Sequence, residues 1–284
     1  MSRKEWLRGL RTLLAMALAV YVGLGLYLYI FQARYLYFPD RPSHPVQATP
    51  AEVGLAFAPL KLKTADGETL DAWFIPAPGA RRTLLYLHGN GGYIGHRFDP
   101  IDVFHRLGLN ILIFDYRGYG ASTGSPNEAG TYADALAAWS YLTQTLHIPP
   151  REIILFGESL GGAVAAWLAE RHPPGGVILY ASFTSIEDMA RLVYPAFPAR
   201  LLVRYRYDTR AYLANVHAPL LILHSPQDEI IPFSQGQALF QAANEPRRLL
   251  ELRGGHNDAL LVSRDVYARG VAEFLDGLRY ESTP

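Results

Sequence analysis

The 284-residue chain has no cysteine and no excess of charge: 26 Lys and Arg balance 26 Asp and Glu. The first absence excludes disulfides, thiolate metal sites and a cysteine nucleophile together. The second removes the basic face by which a protein usually meets nucleic acid, so no nucleic-acid partner is expected. Two nucleotide signatures are also missing, a G-x-G-x-x-G after a first strand and a G-x-x-x-x-G-K-[ST] loop, and no cofactor is expected. Nine histidines are present but scattered, without metal-ligand spacing such as H-E-x-x-H, so no catalytic metal is expected either.

What the chain does have is apolar residues, half of the total, enough for a large core. They include one long run. Residues 13–31 carry neither charge nor proline, and the uncharged stretch extends over 12–33. As a helix it would measure about 33 Å, against about 30 Å for a bilayer core. A cleaved secretory signal has a shorter apolar region, about 7–15 residues. Residues 1–37 are therefore expected to form an uncleaved membrane anchor, with the bilayer as partner through 12–33. Arg3, Lys4, Arg8 and Arg11 precede the run, and the basic side normally stays cytoplasmic. A single pass follows, with the N-terminus in and the catalytic domain on the outer or periplasmic side. Residues 38–55, with four prolines, read as a linker.

The remainder, 56–284, reads as one α/β domain. Two strand-like runs at 60–64 and 70–76 flank Asp66-Gly67, a hairpin signal. Short apolar runs at 83–88, 110–116, 152–157, 176–181, 219–225 and 247–252 suit strands covered on both faces. Helical patterns alternate with them at about 97–107, 128–146, 159–171, 234–243 and 264–278. Such alternation predicts a mostly parallel sheet with helices on both faces. Ligands then gather beyond the carboxyl ends of the strands. The stretch 183–216 is too long for a plain crossover and predicts a small helical cap over the site.

Gly157-Glu158-Ser159-Leu160-Gly161 matches G-x-S-x-G, with an apolar strand before it and a helical pattern after it. A serine in such an elbow is held on a tight strand-to-helix turn. Its hydroxyl needs a base, since it is too weakly acidic to attack at neutral pH. His256 follows the last strand-like run in Gly254-Gly255-His256, and Asp228 follows the one before it. They are the expected base and orienting acid, with Glu229 and Asp258 as fallback acids. After the first parallel strand comes His88-Gly89-Asn90-Gly91-Gly92, a turn able to aim a backbone N–H at an oxyanion. Asn90 is the expected first donor and Leu160, the residue after the serine, the second. His88 reads as a structural histidine, and Tyr93 as a candidate for the pocket wall.

At these residues the chain resembles the α/β-hydrolase superfamily, and most closely its small abhydrolase-domain branch of membrane-anchored serine hydrolases and depalmitoylases. The text that carries the resemblance is LHGNGGYIGHR, FDYRGYGASTGSPNEAGTYADA, LFGESLGGAVAAWLA, LILHSPQDEIIPFSQG and GGHND. It implies an α/β-hydrolase fold and hydrolysis of an ester or thioester of a lipid-like acyl substrate through an acyl-enzyme. A peptidase- or aminopeptidase-like amidase and a protein depalmitoylase are the alternatives. The family usually has arginine or glutamine at position 158, glycine at 225 and often histidine at 235, where this chain has Glu158, Ser225 and Gln235. A carboxylate at 158, if it faced the site, would act on His256.

Overall fold

The computed structural model describes residues 2–40 and 48–280; the proline-rich part of the expected linker at 41–47 lies outside the described residues. Among the described residues ten strands occur in chain order: β1 (Phe38–Pro39), β2 (Ala58–Lys63), β3 (Thr69–Ile75), β4 (Arg82–Leu87), β5 (Gly91–Gly92), β6 (Leu109–Phe114), β7 (Ile153–Glu158), β8 (Gly176–Tyr180), β9 (Leu220–His224) and β10 (Arg247–Glu251). Eight of them form one sheet in the order β10-β9-β8-β7-β4-β6-β3-β2. From β10 to β6 neighbours run parallel, while β2 and β3 are the antiparallel hairpin at one edge.

The central strands are mostly apolar because both faces are covered; every residue of β8 and β9 is buried. Their side chains still alternate. Leu85, Leu87, Leu155, Leu179 and Ile222 belong to one core. Leu84, Tyr86, Ile154, Phe156, Ile178 and Leu221 belong to the other.

The helices are α1 (Arg3–Ile30), α2 (Gln32–Leu36), α3 (Phe98–Arg106), α4 (Glu128–Ser140), α5 (Leu160–Arg171), α6 (Ile186–Val193), α7 (Ala199–Leu202), α8 (Thr209–Leu213), α9 (Phe233–Ala242), α10 (Ala259–Val262) and α11 (Arg264–Tyr280). Helices α4, α5, α8 and α9 feed the first core, and α3 and α11 the second. The long crossover between β8 and β9 carries α6, α7 and α8.

Ser2 caps α1 in a reciprocal box with Glu5. Gly25 is the only buried residue of α1, so nearly all of its apolar surface faces outward, and the helix is long and apolar enough to cross a membrane. The chain kinks at Phe31 and returns to the domain through β1, which pairs with β5 in a separate two-stranded sheet. That pairing fastens the segment after the long helix to the glycine-rich turn after β4. Phe38 N–H donates to Asn90 O at 2.9 Å and Asp40 N–H to Gly92 O at 3.1 Å.

Candidate active site

Ser159 stands between β7 and α5 with φ 52° and ψ −114°, a conformation that costs a non-glycine residue about 1–3 kcal/mol. Its surroundings hold it there. Ser159 N–H donates to Tyr180 O at 2.8 Å, and its carbonyl accepts from Gly162 N–H and from Ser182 Oγ, both at 3.0 Å. The flanking glycines are required by closeness. A Cβ on Gly161 would sit 2.0 Å from Leu87 O, and one on Gly157 would sit 2.4 Å from Gly161 O. Leu160 opens α5, so its N–H belongs to the first turn, where helix donors lack intrahelical partners and the dipole favours negative charge.

His256 Nδ1 lies 2.8 Å from Asp228 Oδ2. Asp228 Oδ1 accepts from Ile230 N–H at 3.0 Å and Ile231 N–H at 2.7 Å. Burial pushes the Asp228 carboxyl up, but the side chains of His224 and His256 and the Ile231 N–H outweigh it. The group is held well below the usual carboxylate range. The other acids considered have different partners. Glu229 Oε2 accepts from His256 N–H at 3.1 Å, and Asp258 Oδ1 accepts from Gly255 N–H at 2.5 Å. Both order the loop that presents the imidazole.

His224 is a residue that sequence reasoning passed over among the scattered histidines. It ends β9 fully buried, with Nε2 2.9 Å from Ile231 O and 3.4 Å from Asp228 Oδ2. Its only sequence signal is its place, four residues before Asp228 and at a strand end.

The glycine-rich turn is fixed from several sides. Asn90 Nδ2 donates to Leu36 O at 2.8 Å and Asn90 O accepts from Tyr119 OH at 2.8 Å. The side-chain amide is therefore committed, which leaves the backbone N–H as the group this turn can aim at a substrate. Gly89 approaches the serine: a Cβ there would lie 3.6 Å from Ser159 Cβ. His88 is wholly buried, with Nδ1 2.7 Å from Gly89 O. Burial and the nearby Arg97 charge push its pKa down to about 3, so it is neutral and supports the loop.

Glu158 lines the cavity but answers to other partners than His256. Its Oε2 accepts from Tyr86 OH at 2.6 Å and lies 3.3 Å from Arg97 Nε. Tyr93, expected on the pocket wall, is turned inward. It is 6% exposed, stacks edge-on to His96 at 4.5 Å, and covers Gly95, where a Cβ would lie 2.4 Å from its ring. The bare glycine leaves a slot that the ring fills, and the wall is built by His96 and Arg97 instead.

Ser159, Leu160, Gly89, Asn90 and His256 line one cavity of about 620 Å³. Its other walls come from the cap (Ile186, Met189, Val193, Phe197, Leu202) and, unforeseen from the sequence, from the long helix and its continuation: Leu28, Gln32, Tyr35 and Leu36. The site is thus a mostly apolar trough that includes the polar groups of Ser159, Asn90 and His256 in its lining.

A family model described as "Serine aminopeptidase, S33" matches residues 78–212. An uncharacterized protein of Mycobacterium tuberculosis is 36% identical over 247 residues, 86% of this chain and 87% of that protein. The alpha/beta hydrolase domain-containing protein WAV2 of Arabidopsis thaliana is 34% identical over 87% of this chain and 88% of its own length. Among solved structures, an esterase of Pyrococcus furiosus matches with a TM-score of 0.72 at 19% identity, covering 85% of this chain and 97% of that one. That last likeness carries the fold alone, whereas the full-length relatives carry the family. Together with the strand order and the strained serine after β7, they establish that the chain belongs to the α/β-hydrolase superfamily.

Proposed function

We propose that the chain is a membrane-anchored serine hydrolase that cleaves a carboxylic ester or thioester of a lipid-like acyl substrate. The observation that carries the reading is that one apolar cavity is lined both by a serine on a strained helix-opening turn and by an imidazole held at 2.8 Å by a buried carboxylate.

Each group then has a role that its surroundings favour. Ser159 Oγ attacks the acyl carbonyl while His256 Nε2 takes its proton. Asp228, kept ionised by its donors, fixes the tautomer with the Nδ1 proton facing it and stabilises the imidazolium. The N–H groups of Asn90 and Leu160 receive the oxyanion, each worth about 3 kcal/mol in the transition state. The leaving alcohol or thiol departs with the proton from His256. Water then gives its proton to the same nitrogen, attacks the acyl-enzyme, and frees the acid and Ser159.

The long helix serves as the anchor. Its basic flank, Arg3, Lys4, Arg8 and Arg11, favours a cytoplasmic N-terminus and a catalytic domain on the outer or periplasmic side.

The name of the matching family model makes an aminopeptidase the second reading. Capture of a free substrate amine would need an unengaged carboxylate in the trough. Glu158 is the only carboxylate among the described lining residues, and Arg97 and Tyr86 already hold it. The ester or thioester reading therefore stands first. A fluorophosphonate active-site probe tests the nucleophile: wild type should label and Ser159→Ala should not. Equal labelling of the two would refute the assignment. A panel of ester, thioester and aminoacyl chromogenic substrates, run with the same pair, separates the leaving groups.

A further inference from the structure

The cap runs down the side of α1 as well as over the hydrolase domain. Gln32 is the upper fastening: Nε2 donates to Leu202 O at 3.0 Å, and Oε1 accepts from Arg204 N–H at 2.8 Å and Tyr205 N–H at 3.1 Å. Nearby, the Arg204 guanidinium lies 5.3 Å from the centre of the Tyr29 ring. A second fastening sits deeper along the helix. Tyr21 OH donates to Ala196 O at 2.8 Å, and the Tyr21 and Phe197 rings stack at 4.9 Å. At about 1.5 Å per residue, Tyr21 lies about 13 Å along the axis from Ile30, the last residue of α1. The uncharged stretch ends at residue 33. If that end marks the edge of a bilayer core about 30 Å thick, Ala196 and Phe197 lie near its middle.

The cap surface in this stretch suits hydrocarbon. Leu192, Val193 and Tyr194 are exposed, and Leu201, at 76%, is the most exposed large hydrophobic residue among those described. A contiguous patch of this kind on a soluble face is unusual. The backbone is adapted in part to a medium in which an unpaired N–H is costly. Pro195 and Pro198 have no N–H to satisfy. The N–H groups of Tyr194, Phe197, Leu201, Leu202 and Val203 donate to carbonyls within the segment or at the end of α6, and Tyr21 OH takes up Ala196 O, whereas those of Ala196, Ala199 and Arg200 have no protein acceptor among the described residues. Of the charged residues at hand, Arg191 pairs with Glu187 and Asp188, while Arg200 has a long stem able to carry its head towards the lipid headgroups.

We infer that cap residues 192–202 lie within the hydrocarbon layer beside α1, and that the cavity receives the acyl chain of a bilayer lipid sideways from that layer. This rests on the anchor and hydrolase readings above and adds to them the route and the physical state of the substrate. Leu28, Val193, Phe197 and Leu202 line the same trough as Ser159 and His256. The chain would thus pass from lipid to nucleophile along a mostly apolar wall.

The absence of cysteine makes depth directly measurable, because one introduced thiol labels uniquely. The full-length chain carrying Leu201→Cys is labelled with an environment-sensitive nitrobenzoxadiazole probe and reconstituted in phosphatidylcholine vesicles. Arg151→Cys, an exposed site just before the opposite end of β7, is the aqueous control. The Leu201→Cys probe should emit at shorter wavelength than the control and be quenched by nitroxides on lipid acyl chains but not by iodide. Iodide quenching equal to that of the control would overturn the inference. This readout needs no turnover, so failure of the hydrolase reading and failure of insertion are separate results. For the route, Leu192→Glu/Leu201→Glu should cut hydrolysis of a long-chain ester embedded in vesicles by about tenfold or more, given the cost of a carboxylate in lipid. Hydrolysis of a short soluble ester should stay within about twofold of wild type, since about 1.4 kcal/mol is needed for each tenfold change in rate and neither leucine lines the cavity. Retained activity on the embedded ester would overturn the route.

Discussion

Asp228 and His256, 28 residues apart in the chain, meet at 2.8 Å because β9 and β10 are parallel neighbours and deliver their following loops to the same end of the sheet. Only Oδ2 of the carboxylate faces the imidazole; Oδ1 is occupied by the Ile230 and Ile231 N–H groups. Asp228→Asn would keep the shape of the side chain but could present an amide N–H towards Nδ1, favouring the wrong tautomer. The expected outcome is a roughly ten-thousand-fold fall in kcat with the fold intact. Steady-state kinetics with a soluble ester, together with circular dichroism, check it. A fall of tenfold or less would show that the carboxylate does not orient the base.

The glycine-rich turn is fastened to the segment after the long helix by the Asn90 amide on Leu36 O. Asn90→Ala keeps the backbone N–H that would meet the oxyanion but releases the turn. The loss in kcat should be about tenfold, well short of the 10²–10³ typical of deleting such a donor outright. KM for a short ester should move little, because the amide is engaged by Leu36 O.

Gly161→Ala tests the close approach of α5 to the turn after β4. The new methyl would lie 2.0 Å from Leu87 O and 2.6 Å from His88 O, both backbone atoms that cannot turn aside. A destabilisation of about 3 kcal/mol or more is expected. It should appear as a lower melting temperature and loss of probe labelling at Ser159. A variant as stable and reactive as wild type would show that the helix can slide away from the sheet.

Much of this arrangement is legible in the amino-acid order, and what is missing shares one cause. The central strands announce themselves because burial on both faces leaves β8 and β9 apolar up to their last residues, Tyr180 and His224. Ser159 is legible because its strained turn admits only glycines at the points of contact, at 157 and 161. Expected helix ends fell within a few residues of those observed, except for 128–146. There α4 stops at Ser140 and a π-helical turn, Tyr141–Thr145, follows. The hidden features depend on contacts between residues far apart in sequence. Gln32 meets Leu202 across 170 positions, and Tyr37 OH lies 2.8 Å from Tyr207 OH across another 170. No local pattern marks a long apolar helix that also walls a cavity. Tyr93 was misplaced for a related reason: its neighbours suggested the pocket, while the empty volume at Gly95 drew the ring inward.

Asp115 offers a test by pH. Its carboxyl is fully buried; Oδ1 accepts from Ile94 N–H at 2.9 Å, while Oδ2 has no partner among the described residues and faces Gly120. Burial, against the pull of the Ile94 N–H, pushes its pKa up to about 8 from an ordinary 3.8. Below pH 3.8 the group is protonated whether the chain is folded or unfolded, and its contribution to stability is fully present. Between 3.8 and about 8 the unfolded chain ionises while the folded chain holds its proton, so that contribution is progressively lost as pH rises. Asp115→Asn keeps an acceptor for Ile94 and stays neutral throughout. The melting temperature of the variant relative to wild type should therefore climb steadily from about pH 4 to about pH 8 and level off beyond. A difference that stays constant across that range would mean that the Asp115 carboxylate finds water or a counter-charge once it ionises.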